Sequence, residues 1–138
     1  MKYWNVCVVP ALLGAFGLVV FAAEKPPENY QQAMKNLGAF AQGISKAASA
    51  EDYDATTKYA NSAKDAFGIV EAYWSKKSDA AAVKMAQDGG KAAADLVVVT
   101  GLKSKEGMEY SAKIITDLCM GCHAAHRERA ADGTFQIK

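Results

Sequence analysis

The chain has 138 residues, 16 Lys and Arg against 15 Asp and Glu, and a formal net charge of +1. This length favours one domain. The charges are scattered with no basic block, which argues against nucleic acid or an anionic membrane surface as partner. Alanine is abundant and no proline follows Pro27, a bias towards helix.

Residues 1–22, or 1–23, read as a secretory signal. Lys2 supplies the positive start, Val6 to Phe21 form an apolar run, and Val20-Phe21-Ala22 ends it with residues a signal peptidase accepts. The run also approaches bilayer-spanning length, so an uncleaved anchor is the competing reading. Pro10, Gly14, Gly17 and the Ala22-Ala23 end favour cleavage. Removal of the leader, which carries Cys7, leaves 23–138, about 115 residues, enough for one modest core helped by a large apolar ligand. No stable membrane insertion is then expected.

Four helices follow in chain order. Pro27 suits a first helical position, and Tyr30, Met34, Leu37, Ala41, Ile44 and Ala48 recur on one face. Ser49 to Asp52 reads as a fresh N-cap with acidic residues in the first turn. The second helix carries Tyr59, Ala63, Phe67, Val70 and Trp74 along its apolar side, and Ser75 to Ser78 forms a polar break with Ser78 as the next cap. Ala82, Met85, Gly89, Ala92, Leu96 and Val99 mark the third helix. Gly89-Gly90 inside it should cost about 1 kcal/mol each relative to Ala, which predicts a kink or the close approach of a neighbour. Gly101 suits a helix end, Ser104 with Glu106 suits a start, and Met108, Ser111, Ile115, Leu118 and Cys122 line the fourth helix. Short polar links between four such segments predict an all-α, antiparallel four-helix bundle. No strand alternation competes.

The last helix ends in Cys119-Met-Gly-Cys-His123. C-x-x-C-H is the attachment pattern for c-type haem: two thiols three positions apart can add across two vinyl groups, and the next histidine offers a ring nitrogen to the iron. A redox-active C-x-x-C would sit near a β-α-β pattern, which is missing. A zinc site would need His126 as fourth ligand, with Cys122 and His123 too close in sequence to share one tetrahedral ion comfortably. Ile115 and Leu118 place apolar surface beside the Cys pair. The spacing therefore predicts one covalently attached haem c, and export agrees with attachment outside the cytoplasm.

A haem motif on the last helix of a four-helix bundle resembles the class II c-type cytochromes, the cytochrome c-prime group and its low-spin relatives. Two motifs carry the resemblance. Cys119-Met-Gly-Cys-His-Ala-Ala-His-Arg127 is similar to the family's C-x-x-C-H-x-x-aromatic-Arg, and Tyr30-Gln-Gln-Ala-Met-Lys35 to its first-helix segment, where an Arg is followed by a Met or Leu facing the haem. Gln31 or Gln32 stands at the Arg position and His126 at the aromatic one. His126 would lie near a propionate at the haem edge instead of on the iron, and Arg127 could pair with a propionate.

The resemblance implies one of two functions. With a side chain opposite His123 the protein is a periplasmic one-electron carrier and not an enzyme, meeting redox proteins through small transient interfaces. With an apolar residue there, it is five-coordinate and binds small gases such as nitric oxide or carbon monoxide. Met34 is the first candidate for the sixth ligand, since thioether sulfur is a good axial ligand; Met85 and Met108 follow, and Met120 reads as a spacer. By resemblance alone, two copies could pair through their first two helices.

Overall fold

The computed structural model describes residues 25–138, so the leader and Cys7 lie outside the described residues. Four helices of nearly equal length follow: α1 (Glu28–Ser49), α2 (Tyr53–Lys76), α3 (Ala80–Gly101) and α4 (Lys105–His126). They pack as an up-down-up-down four-helix bundle, each helix against the two beside it, with the α1–α4 seam the least closely packed. No described helix is long and apolar enough to cross a membrane.

The three links between helices are built alike, each of three residues. Glu51, Ser78 and Lys103 each take a left-handed conformation with φ near 56° (56°, 57° and 55°). The residue after each one donates its backbone N–H five positions back, Asp52 to Ala47, Asp79 to Trp74 and Ser104 to Val99. This pattern satisfies carbonyls the ending helix would otherwise leave open. The same residue then caps the next helix: Asp52 accepts from Ala55 at 2.9 Å, Asp79 from Ala82 at 2.9 Å and Ser104 from Gly107 at 3.2 Å. The capping expected of Ser49 and Ser78 thus belongs to Asp52 and Asp79. Ser49 still completes a turn of α1, and Ser78 is the left-handed hinge. Pro27 likewise sits one residue ahead of its expected place, as the N-cap.

A left-handed backbone disfavours any residue with a Cβ. Ser78→Gly is therefore expected to raise stability by about 0.5–1 kcal/mol, after allowing for the freedom glycine gains in the unfolded chain. Urea unfolding at unchanged m-value checks this.

The core is built from small and large residues in alternation. Ala33, Leu37, Phe40, Ile44 and Ala48 of α1 meet Ala60, Ala63, Phe67, Val70 and Trp74 of α2, with Ala82, Ala86, Ala93 and Leu96 of α3 and Met108, Ala112 and Ile115 of α4. Abundant alanine lets helix axes approach, and the few large side chains fill what remains. In α1 the buried stripe includes Ala33 and Phe40, while Ala41 is exposed and Met34 half-buried. Tyr59, Met85 and Val99 are also only half-buried. The helix α3 runs unbroken through Gly89-Gly90. Of the two expectations for that pair, close approach holds: the Phe67 ring of α2 occupies the space a Cβ on Gly89 would need.

One element departs from the all-helical expectation. After α4 the chain forms a small antiparallel hairpin, β1 (Arg127–Arg129) with β2 (Phe135–Ile137), in which Arg127 pairs with Ile137 and Arg129 with Phe135. Its turn holds Gly133 at φ 84°, and the Asp132 carboxylate accepts from the Thr134 backbone (2.9 Å) and hydroxyl (2.7 Å). Ile137 is buried in the bundle core, Lys138 N–H donates to His126 O at 3.1 Å, and Lys138 Nζ donates to Ala124 O at 2.8 Å. The hairpin thereby satisfies carbonyls at the end of α4 and folds the chain's end back over the Cys-x-x-Cys-His turn.

Candidate functional site

Between α1 and α4 lies an open cavity of about 970 Å³, at the upper end of the range for small-molecule and cofactor sites. From α1 come Tyr30, Met34, Leu37, Gly38 and Ala41; from α2 Phe67 and Val70; from α3 Met85 and Ala86. The helix α4 contributes Leu118, Cys119, Cys122, His123 and His126, and the hairpin closes the last side. Gly38, Ala41 and Ala86 are too small to reach across. The apolar face of α1 is thus wider than the polypeptide covers. Exposed Ala41 and half-buried Met34 lie on the uncovered part.

The structure brings together most of the residues the sequence singles out. Cys119, Cys122 and His123 sit in the last two turns of α4, all half-buried, and both thiols are free. Spacing of three and four keeps such residues on one helical face. Met34 and Met85 line the same cavity from different helices. Met108 does not: it lies three turns before Cys119, fully buried in the core and away from the cavity lining. Met120 is exposed at the rim. Ile115 belongs to the core, whereas Leu118 fulfils the apolar role beside the thiols.

Electrostatics at the three central residues follow from burial. Burial, then the neighbouring Cys122, pushes the Cys119 thiol up to about 11. Burial, then the Asp79 carboxylate, also raises Cys122. Burial, then the Arg127 guanidinium, holds His123 below its ordinary value, so at neutral pH its imidazole is uncharged, the form that binds metal. Tyr30 is pushed up to about 12, mainly by burial, and remains a neutral phenol on the wall.

A raised thiol keeps its proton in the folded chain between about pH 9 and 11, a contribution to stability present below that window and lost as pH rises through it. Thiolate is the reactive form. Cys119 in cofactor-free folded protein should therefore react with iodoacetamide at pH 8 about 100-fold more slowly than in urea-unfolded protein. The rate should climb with pH until about 11, which peptide mass mapping of the alkylated chain checks.

His126 and Arg127 complete the site. The His126 ring packs tilted, at 50°, against Trp74 with centroids 4.7 Å apart, and its Nδ1 lies 3.6 Å from the Asp79 carboxylate. One aromatic ring and an acid hold it at the cavity's end. Arg127 lines the cavity with its guanidinium 4.0 Å above the Phe135 ring. Of the two glutamines, Gln31 lines the cavity, its amide donating to Pro26 O at 2.8 Å, while exposed Gln32 pairs with Asn36.

The residues fit a covalently held haem. An apolar cavity flanked by two protonated thiols, with a neutral imidazole directly after the second and cations Lys25, Lys35 and Arg127 on the lining, matches a flat apolar macrocycle with an iron centre and two carboxylates. Among the described residues no group of three or more His, Cys, Asp or Glu is arranged to hold a metal ion by itself. Sequence reasoning did not find the hairpin wall. Its signal was Asp132-Gly133 followed by alternating Phe135 and Ile137. Comparison with protein-family models, curated proteins and solved structures finds no match.

Proposed function

We propose that the chain is an exported monohaem c-type cytochrome that carries single electrons and is not an enzyme. Cys119 and Cys122 would hold the haem through thioethers, His123 and Met34 would ligate its iron through nitrogen and sulfur, and Arg127 would pair with a propionate. The observation that carries this reading is the convergence of the C-x-x-C-H turn with an uncovered apolar face of α1 on one cavity of about 970 Å³. The bundle with this motif on its last helix resembles the class II c-type cytochromes. When bound, the haem supplies one-electron cycling between ferric and ferrous iron.

The chain's own residues do the rest. Neutral His123 is ready to donate without first losing a proton. Leu37, Phe67, Val70 and Leu118 line the cavity with hydrocarbon that excludes water, and burial of this kind raises the cost of net positive charge at the iron. The leader directs the chain to the periplasm, and redox proteins are the partners.

A specific observation favours a second reading. Leu37, Phe67 and Val70 share the wall with Met34. If carbon and not sulfur closes the side opposite His123, the site is five-coordinate and binds nitric oxide or carbon monoxide. Intact mass and the visible spectrum of the exported protein, with and without carbon monoxide, test both. Carrier function predicts one haem per mature chain and a low-spin spectrum unmoved by the gas. A high-spin, gas-sensitive spectrum makes the second reading correct, and a mass without haem overturns both.

A further inference from the structure

The hairpin holds itself together as a unit. Its ladder joins three residue pairs, and its turn closes on itself, with Ala130 N–H donating to Thr134 O at 2.8 Å and Gly133 N–H to Ala130 O at 2.9 Å. Glu128 accepts from Gln136 at 3.2 Å, and the Arg127 and Arg129 guanidiniums stand 4.0 and 4.7 Å from the Phe135 ring centroid. All of these contacts lie between hairpin residues, so a swing of the whole hairpin breaks none of them.

What fastens it to the bundle is slight. Of the described residues 127–138, Ile137 is the one that is buried, at 7 % exposure in the core cluster. Lys138 adds two hydrogen bonds, both to carbonyls in the last turn of α4, those of His126 and Ala124. That turn passes straight into extended backbone at Arg127, with φ −121° and ψ 135°, and so forms the pivot. A segment docked through one apolar side chain opens at far lower free energy than a bundle whose helices bury many.

The hairpin also covers what a guest must reach. Arg127, Asp132, Phe135 and Ile137 line the cavity alongside Cys119 and Cys122, and both thiols are half-buried. We propose that residues 127–138 are a latch on the cavity, with Ile137 as its catch. The hairpin undocks while the four helices stay folded, admits a bulky flat guest to the two thiols, and closes behind it as the last wall. The guest's identity rests on the cytochrome reading; the latch does not.

The test uses the folded, cofactor-free protein and fluorescein maleimide, a thiol reagent whose fused rings make it bulky and flat. Labelling of Cys119 and Cys122 at pH 8 is followed by peptide mass mapping, in urea below the unfolding transition. Opening of the hairpin alone exposes little surface, so the rate should be nearly flat in urea, whereas labelling through unfolding of the bundle climbs with the full m-value. Ile137→Ala and Ile44→Val should both lower the urea midpoint, Ile44 being in the core and off the cavity lining. Only Ile137→Ala weakens the docked hairpin against the open one, so it alone should speed labelling, by about ten-fold. Should alanine unfold the chain, Ile137→Val gives the same comparison with a smaller factor. A rate that climbs with the bundle's own m-value, or one that the Ile137 variants leave unmoved, overturns the latch.

The latch and the cytochrome reading fail separately. An exported protein whose mass lacks haem overturns the reading, and the labelling comparison, made without cofactor, still decides the latch. A haem-loaded protein whose cofactor-free form fails the comparison keeps the reading and loses the latch.

Discussion

Met34→Ala is expected to turn a low-spin visible spectrum high-spin, to open the protein to carbon monoxide and to lower its reduction potential. Thioether sulfur favours ferrous iron, and alanine offers no donor. The fold should persist, because Met34 is half-buried on the cavity wall and alanine is the best helix former. The loss is thus one of ligation, not of architecture. Met85 lines the same cavity from α3, so Met85→Ala is the matched comparison and should leave the spectrum low-spin. If the two variants exchange phenotypes, the sulfur comes from α3. If neither moves a wild-type spectrum that is already gas-sensitive, the site is five-coordinate.

The second large effect concerns the bundle. Gly89→Ala should destabilise by about 1–2 kcal/mol, although Gly→Ala within a helix ordinarily gains about 1 kcal/mol. The Phe67 ring, itself in the core, stands where the new methyl must go, and overpacking a fixed core costs about 1–3 kcal/mol. Gly68→Ala is the internal control: a Cβ there meets nothing within 4 Å, so it should stabilise by about 1 kcal/mol. Opposite signs in urea unfolding establish that Gly89 serves the α2–α3 contact. Phe67 also lines the cavity, so Gly89→Ala should disturb the haem spectrum as well. A stabilised Gly89→Ala protein would sink this account.

The four helices were legible because their apolar periods and caps are local signals. Tyr30, Leu37, Phe67, Val70 and Trp74 declared their faces through spacing alone. What spacing could not resolve was which cap wins where two stand close. Asp52 and Asp79 displaced Ser49 and Ser78 because the left-handed turn sets where a helix restarts, and that geometry depends on both helices. The cavity was half legible. Cys119, Cys122, His123 and Met34 carry readable chemistry, and the structure brings them to one place. The exposure of Ala41, the burial of Met108 away from the site and the wall made by Phe135 and Ile137 depend on how α1, α4 and the hairpin meet. Those are contacts between distant parts of the chain. His126 shows the limit most plainly: its neighbours Trp74 and Asp79 come from the α2–α3 corner, far away in sequence.

The three short links tie α1 to α2, α2 to α3 and α3 to α4, so three of the four seams join neighbours in the chain. The remaining seam, α1 with α4, must bring together helices separated by the other two, and it carries the largest loop-closure entropy. It is also the least closely packed and holds the cavity. A bundle assembled in sequence order would zip its local seams first and close this one last. On the cytochrome reading, a large flat guest would enter by the route the fold leaves open longest.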